Sequence, residues 1–175
     1  PAVLAGRAAI RLGAGKVFLG LVTDLPPYVD YTQPELMLRR PGQLLADTPL
    51  TALAAGPGLG TDSAAQRLLA QALRLELPLV LDADALNLVA AYGVLQSAVQ
   101  ARKSPTLMTP HPAEAARLAG SSTSEIQADR VAAARRLAAK FKATVALKGN
   151  GTVSAAPDGR WWVNDSGNPG MASAG

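Results

Sequence analysis

LTALAAGPGLGTDSAAQRLLAQALRLELPLVLDAD, residues 50–84, contains one complete turn of an α/β fold. Leu50 to Gly56 is a short apolar run that ends on glycine, as expected of a buried strand. Thr61 to Leu73 places apolar residues at helical spacing, and Pro78 to Asp84 returns to a short apolar run. A strand, a helix and a second strand joined by short loops predict parallel pairing, because the crossover returns the chain to the same end of the sheet. The same alternation continues downstream. ALNLVAAYG extends as helix, PTLMTP (105–110) as strand and EAARLAG as helix. In SEIQADRVAAARRLAAKF (124–141), Ile126, Val131, Leu137 and Phe141 lie near one face, with Arg130, Arg135 and Lys140 elsewhere. This predicts a single long helix capped from Ser121 to Ser124. TVALKG is a further buried strand, and TVSAAPDGRWWVN is a hairpin turning at Pro157-Asp158-Gly159. Upstream, KVFLGLV (16–22) is a strand, followed by a loop rich in Pro, Tyr and Asp. The first residues form an amphipathic helix, with Val3, Leu4, Arg7, Ala8 and Arg11 at helical spacing and Gly13 and Gly15 as stops. The expected fold is a three-layer α/β sandwich, its mostly parallel central sheet covered on both faces, in one domain spanning residues 1–175.

Composition agrees with this and narrows the function. Hydrophobic residues make up 49% of the chain and aromatic residues only 4%, so the core must be built from Ala, Leu and Val. A chain of 175 residues is long enough for one such core. The absence of cysteine excludes disulfides, thiolate metal sites and cysteine nucleophiles. A reducing cytoplasm is compatible with it. No apolar run approaches the length of a membrane span, and the N-terminal residues lack the pattern of a signal peptide. The net charge of +4 is spread along the chain, without the basic stripe and interleaved aromatics of a nucleic-acid binder. A mildly basic surface suits a phosphorylated small ligand.

Ligands of open α/β sheets bind beyond the carboxyl ends of the strands, so the residues following each strand are the candidates. GPGLG, with Gly58 and Gly60, either offers backbone amides to an anion or simply makes a tight turn. Its spacing is not the dinucleotide fingerprint, and the chain has no Walker A motif. LDADALN supplies Asp82, Asp84 and Asn87. Two carboxylates on one side of an extended segment suit a ribose, a hydroxyl or a hydrated cation, or one of them caps a helix starting at Ala85. MTPHPAE holds the only histidine, His111, between two prolines. Glu114 follows it, where it either caps the helix or organises a magnesium ion through water. LKGNGT places Lys148 at the end of a buried strand, ahead of Gly149, Asn150, Gly151 and Thr152. A lysine there calls for an anionic partner, either a phosphate or an internal Asp82 or Asp84. GNPGMASAG (167–175) has the small residues of a phosphate nest.

Taken in order, GPGLGTD, LDADALN, TPHPAE, LKGNGT and GNPGMASAG resemble the ADP- or ATP-dependent NAD(P)H-hydrate dehydratases, which are ribokinase-like in fold. The resemblance spans essentially the whole chain. It implies nucleotide-dependent removal of water from hydrated NADH or NADPH: the ring hydroxyl is phosphorylated and phosphate is expelled. By matching motif, Gly58, Gly60 and His111, with Asp82, Asp84 and Asn87 nearby, would line the hydrate pocket. Lys148, Gly149, Asn150, Gly151 and Thr152 would hold ADP or ATP, together with Asn168, Gly170, Met171, Ala172, Ala174 and Gly175. Glu114 would serve Mg2+. The resemblance also implies a cytoplasmic homo-oligomer, a tetramer in many members, and in fused relatives an upstream epimerase domain. No nucleic-acid or membrane partner is expected. The family pattern continues past the last motif to an aspartate general base, and begins with a strand and glycine-rich turn ahead of Pro1. The chain is thus expected to be cut at both ends and, as it stands, nearly inactive. Ala113 stands where the common form of TPHPAE has glycine. The competing readings are a ribokinase-like kinase of a small alcohol or vitamin precursor, and a non-catalytic nucleotide-binding module.

Overall fold

The structure is a computed structural model that describes residues 1–23 and 29–167. Its main body is a six-stranded sheet in the order β3 (Leu53–Ala55), β4 (Leu79–Leu81), β5 (Thr106–Met108), β6 (Thr144–Leu147), β7 (Thr152–Ala155) and β8 (Trp161–Asn164). β3 to β6 are parallel, and β7 pairs antiparallel with both β6 and β8. Chain order equals spatial order. The hairpin turns as expected: Ala156 donates to the Arg160 carbonyl at 2.8 Å, and Gly159 takes a φ of +91°.

Alternation along these strands sets the two faces of the sheet apart. Leu79, Leu81, Met108, Val145, Leu147, Val153 and Ala155 are buried, whereas Val80, Leu107, Ala146 and Ser154 between them are only partly covered. Of the crossover helices, α3 (Ser63–Leu73), α5 (Gly93–Ala101) and α8 (Arg130–Phe141) lie side by side. A second packed group is formed by α4 (Asp84–Ala91), α6 (Pro112–Ala119) and α7 (Thr123–Ala128). Small alanines allow this close layering: Ala65, Ala85, Ala115, Ala134 and Ala138 are fully enclosed. Phe141 is also fully enclosed, the largest side chain in that position.

Ahead of this body, α1 (Ala2–Arg11) and α2 (Pro41–Asp47) pack on a separate parallel pair, β1 (Phe18–Gly20) and β2 (Met37–Arg39). The α1 face that meets this pair centres on Gly6, where an added Cβ would lie 2.9 Å from Leu36 Cδ2. Leu4, expected on the apolar stripe, is 65% exposed. A cavity of about 850 Å3, lined by α1, β1, α2, β3 and some of α3, separates this pair from the larger sheet.

Three local expectations change. The loop after β1 contains β2 and α2, which three residues of strand and a proline-started two-turn helix signal too weakly to be read from pattern. The long helix at 124–141 is two helices: Ser122 caps α7, accepting from the Glu125 amide at 3.2 Å, and Asp129 then breaks the run. Asp129 caps α8 by accepting from the Ala132 amide at 2.8 Å, so a local polar contact overrides continuous helical periodicity. Finally, α4 begins at Asp84, not Ala85.

Candidate functional site

The loops after β3, β4, β5 and β6 meet at one rim of the sheet. Gly56 ends β3 with a φ of +130°, and a Cβ there would fall 1.7 Å from the Asp82 carbonyl oxygen. Only glycine lets the two loops come this close. Beyond it, Gly58 (φ +72°) and Gly60 (φ +81°) reverse the chain, and the Gly60 amide donates to Asp84 Oδ2 at 2.8 Å. Asp62 then caps α3 through the Ala65 amide at 2.8 Å.

Between the two aspartates, Ala83 takes a φ of +48°, a strained conformation for a residue with a Cβ. That turn separates two carboxylates that the sequence suggested would share one side. Asp84 is drawn toward the β3 loop, whereas Asp82 Oδ1 accepts from Lys148 Nζ at 2.7 Å. The buried-lysine problem is thus resolved internally. Because the side chains of Lys148 and Asp82 are 43% and 30% exposed, the pair contributes no more than about 1 kcal/mol to stability, and an anion at the rim can compete for the ammonium. Neither aspartate caps α4 by a hydrogen bond. Asn87, one turn on, accepts from Arg117 Nη1 at 2.7 Å.

His111 is the N-cap of α6. Its Nδ1 accepts from the Ala113 amide at 3.1 Å and its backbone amide donates to Glu114 Oε2 at 2.8 Å. Nε2 stands 3.4 Å from Glu114 Oε1. The imidazole is half-exposed at the rim while Glu114 beneath it is buried. Of the two roles open to Glu114, the structure gives it the cap, with both carboxylate oxygens turned to His111. Among the described residues no three acids or histidines gather as a metal site.

Backbone contacts tie the strand ends together. The Thr109 amide donates to the Leu81 carbonyl at 3.0 Å, and the Lys148 amide to the Pro110 carbonyl at 2.8 Å. With the Gly60–Asp84 and Lys148–Asp82 contacts, these link the β3, β4, β5 and β6 loops in one set, with Asn87 in the first turn of α4 and Gly58 in the β3 loop. Asn168, Gly170, Met171, Ala172, Ala174 and Gly175 lie outside the described residues. Sequence reading missed two arginines that serve this rim from neighbouring helices, Arg117 and Arg130. Arg130 Nη1 donates to the Asn150 carbonyl at 2.6 Å and Nη2 to the Leu147 carbonyl at 3.0 Å. Its position off the apolar face of the 124–141 segment was the one signal available.

Known proteins resemble this chain along its whole length. A family profile described as NAD(P)H-hydrate dehydratase matches residues 1–175. An ADP-dependent (S)-NAD(P)H-hydrate dehydratase of Neisseria meningitidis is 44% identical over 99% of this chain and 59% of its own length. A bifunctional NAD(P)H-hydrate repair enzyme of Thermofilum pendens is 37% identical, the match covering 35% of that protein. The crystal structure of the Bacillus subtilis ADP/ATP-dependent NAD(P)H-hydrate dehydratase, co-crystallised with ATP/Mg2+, superposes with a TM-score of 0.81 at 34% identity, over 99% of this chain and 61% of that one. The chain thus spans about three fifths of the length of the single-activity relatives it matches. The fold is the three-layer, ribokinase-like α/β arrangement expected. By its sequence along the whole of its length and by the architecture that brings these loops together, the chain belongs to the NAD(P)H-hydrate dehydratase family.

Proposed function

We propose that the protein containing this chain dehydrates hydrated NADH or NADPH at the expense of ADP or ATP. The observation that carries this reading is the placement of Lys148. Its ammonium meets Asp82 at the end of β4, and its amide meets the Pro110 carbonyl beside His111. One residue thus couples a glycine-bordered anion loop to the histidine that would border the hydrate. The nucleotide's phosphates would lie against the amides of Gly149, Asn150 and Gly151, with Lys148 exchanging Asp82 for phosphate. The hydrate would occupy the side bounded by Gly58, Gly60, Asn87 and His111. Its ring hydroxyl oxygen would attack the terminal phosphorus and break the bond to the nucleotide. Cleavage of the ring C–O bond, with loss of a proton from the neighbouring ring carbon to form the C=C bond, then releases phosphate, a far better leaving group than hydroxide.

Asp82 is held by Lys148 and Asp84 by the Gly60 amide, so neither is proposed as the general base. The resemblance assigns that role to an aspartate after the small-residue segment 167–175. Magnesium would arrive with the nucleotide, on phosphate and water oxygens. A ligand role for Glu114 would require it to release its cap on His111. A cytoplasmic tetramer and a fused epimerase are family expectations, supported in the second case by relatives named as bifunctional repair enzymes.

The test incubates the complete protein with hydrated NADH and ADP or ATP and follows the absorbance of the reduced nicotinamide. Recovery of that absorbance, dependent on nucleotide and yielding free phosphate, is the expected result. Consumption of ATP with a stable phosphorylated alcohol and no recovery would mean that the protein is a kinase.

A further inference from the structure

Arg130 is the first residue of α8, placed there by the break at Asp129. Its guanidinium reaches across to the loop after β6 and donates to the carbonyls on either side of Lys148-Gly149, those of Leu147 and Asn150. Gly149 is what allows this approach: its φ is +149°, and a Cβ there would lie 2.7 Å from Arg130 Nη2 and 3.0 Å from Cζ. A third carbonyl, that of Gly149, accepts from Thr152 Oγ1 at 3.3 Å. On the donor side, the Lys148 amide is bound to Pro110. Among the described residues the amides of Gly149, Asn150 and Gly151 have no protein acceptor. Three carbonyls of this segment, those of Leu147, Gly149 and Asn150, are therefore held by Arg130 and Thr152, while three successive amides are left as donors. Unheld carbonyls at this position would repel an anion; with Arg130 in place the loop presents donors and a lysine.

We infer that Arg130 is a positioning residue for nucleotide binding: it fixes the carbonyls of the Lys148–Thr152 loop so that its amides face phosphate, without itself touching the ligand. This rests on the assignment of that loop to the nucleotide. A lysine at this position has a compact ammonium in place of the planar fork that meets both carbonyls, so Arg130→Lys should be intermediate.

The test measures Kd for ADP, KM for the nucleotide and KM for the hydrate in the complete wild-type protein, R130A and R130K. Loss of the two charge-assisted hydrogen bonds of Arg130 is expected to raise the ADP Kd and nucleotide KM roughly tenfold or more. The hydrate KM should stay within about twofold. R130K should recover some of the loss. If R130A does not fold, R130K alone decides by the same ratio of nucleotide to hydrate KM. Wild-type ADP affinity in the variants, or an equal rise in both KM values, overturns the inference. A folded wild-type protein that binds no ADP overturns the loop assignment beneath it.

Discussion

The six-stranded body and the two-stranded unit ahead of it are built to different standards. Every residue of the large buried core comes from Leu53 onward. The N-terminal unit buries Leu19, Leu36, Leu38 and Leu44 apart from that core and faces it across the 850 Å3 cavity. A core packed on all sides resists loss of atoms, whereas side chains beside open space can relax into it. The rim that carries the candidate site belongs to the better-packed region, apart from the β3 loop, which reaches both: a Cβ added at Gly58 would lie 3.7 Å from Pro1 Cδ, and one at Gly56 would meet Asp82.

The contrast can be tested by truncating one enclosed side chain on each side. Phe141→Ala should lower the unfolding free energy by about 3–5 kcal/mol and Leu44→Ala, beside the cavity, by only about 2 kcal/mol, because the second site can collapse. Urea titrations read both, and equal losses would remove the distinction. Two glycines sharpen it. Gly56→Ala meets backbone at 1.7 Å in a left-handed conformation, so a loss of at least about 2 kcal/mol and of activity is expected. Gly6→Ala meets only the flexible end of Leu36 at 2.9 Å. The helix-propensity gain should offset that push, leaving thermal stability within about 1 kcal/mol of wild type.

Lys148→Ala separates function from stability within the rim. The half-exposed pair with Asp82 predicts a stability change below about 1 kcal/mol. ADP affinity should nonetheless fall at least about tenfold, measured by calorimetry on the complete protein. The smallest effect concerns the N-terminal unit alone. Arg7 grips Asp30 through two hydrogen bonds of 2.9 and 2.8 Å, which hold that carboxyl below its ordinary value, with Thr32 assisting. A depressed folded value means the contribution is complete above about pH 4 and is lost as pH falls through the folded value. Thermal melts of wild type and Asp30→Asn should therefore differ slightly at pH 6 and converge in acid; a difference that grew in acid would contradict the assigned sign.

Much of the body was legible because it obeys short-range rules. The runs at 50–56, 78–84 and 105–110 became β3, β4 and β5, each ending at the loop that carries the motif. Pro157-Asp158-Gly159 turned the hairpin. The site was legible as a set of loops but not as contacts. That Lys148 would choose Asp82, and that the Ala83 turn would send Asp82 and Asp84 to different partners, depend on strands whose adjacency only the sheet order supplies, whereas the cap of Glu114 on His111, three residues away, is local. Arg102 makes the same point away from the site. It donates to the carbonyls of Leu73, Leu75 and Leu77 at 2.7, 2.9 and 2.6 Å, and burial pushes its pKa down from the ordinary arginine value. Nothing in its neighbours along the chain announces that role.

What the amino-acid order settled by itself was the alternation of strand and helix, the glycines where loops must reverse, and which residue types stand at the strand ends, since these follow from backbone sterics and hydrophobic spacing. Partner choice was left to the tertiary structure. A hydrogen bond or ion pair between residues 66 positions apart, as for Asp82 and Lys148, exists only after the sheet has brought two strand ends within reach of each other.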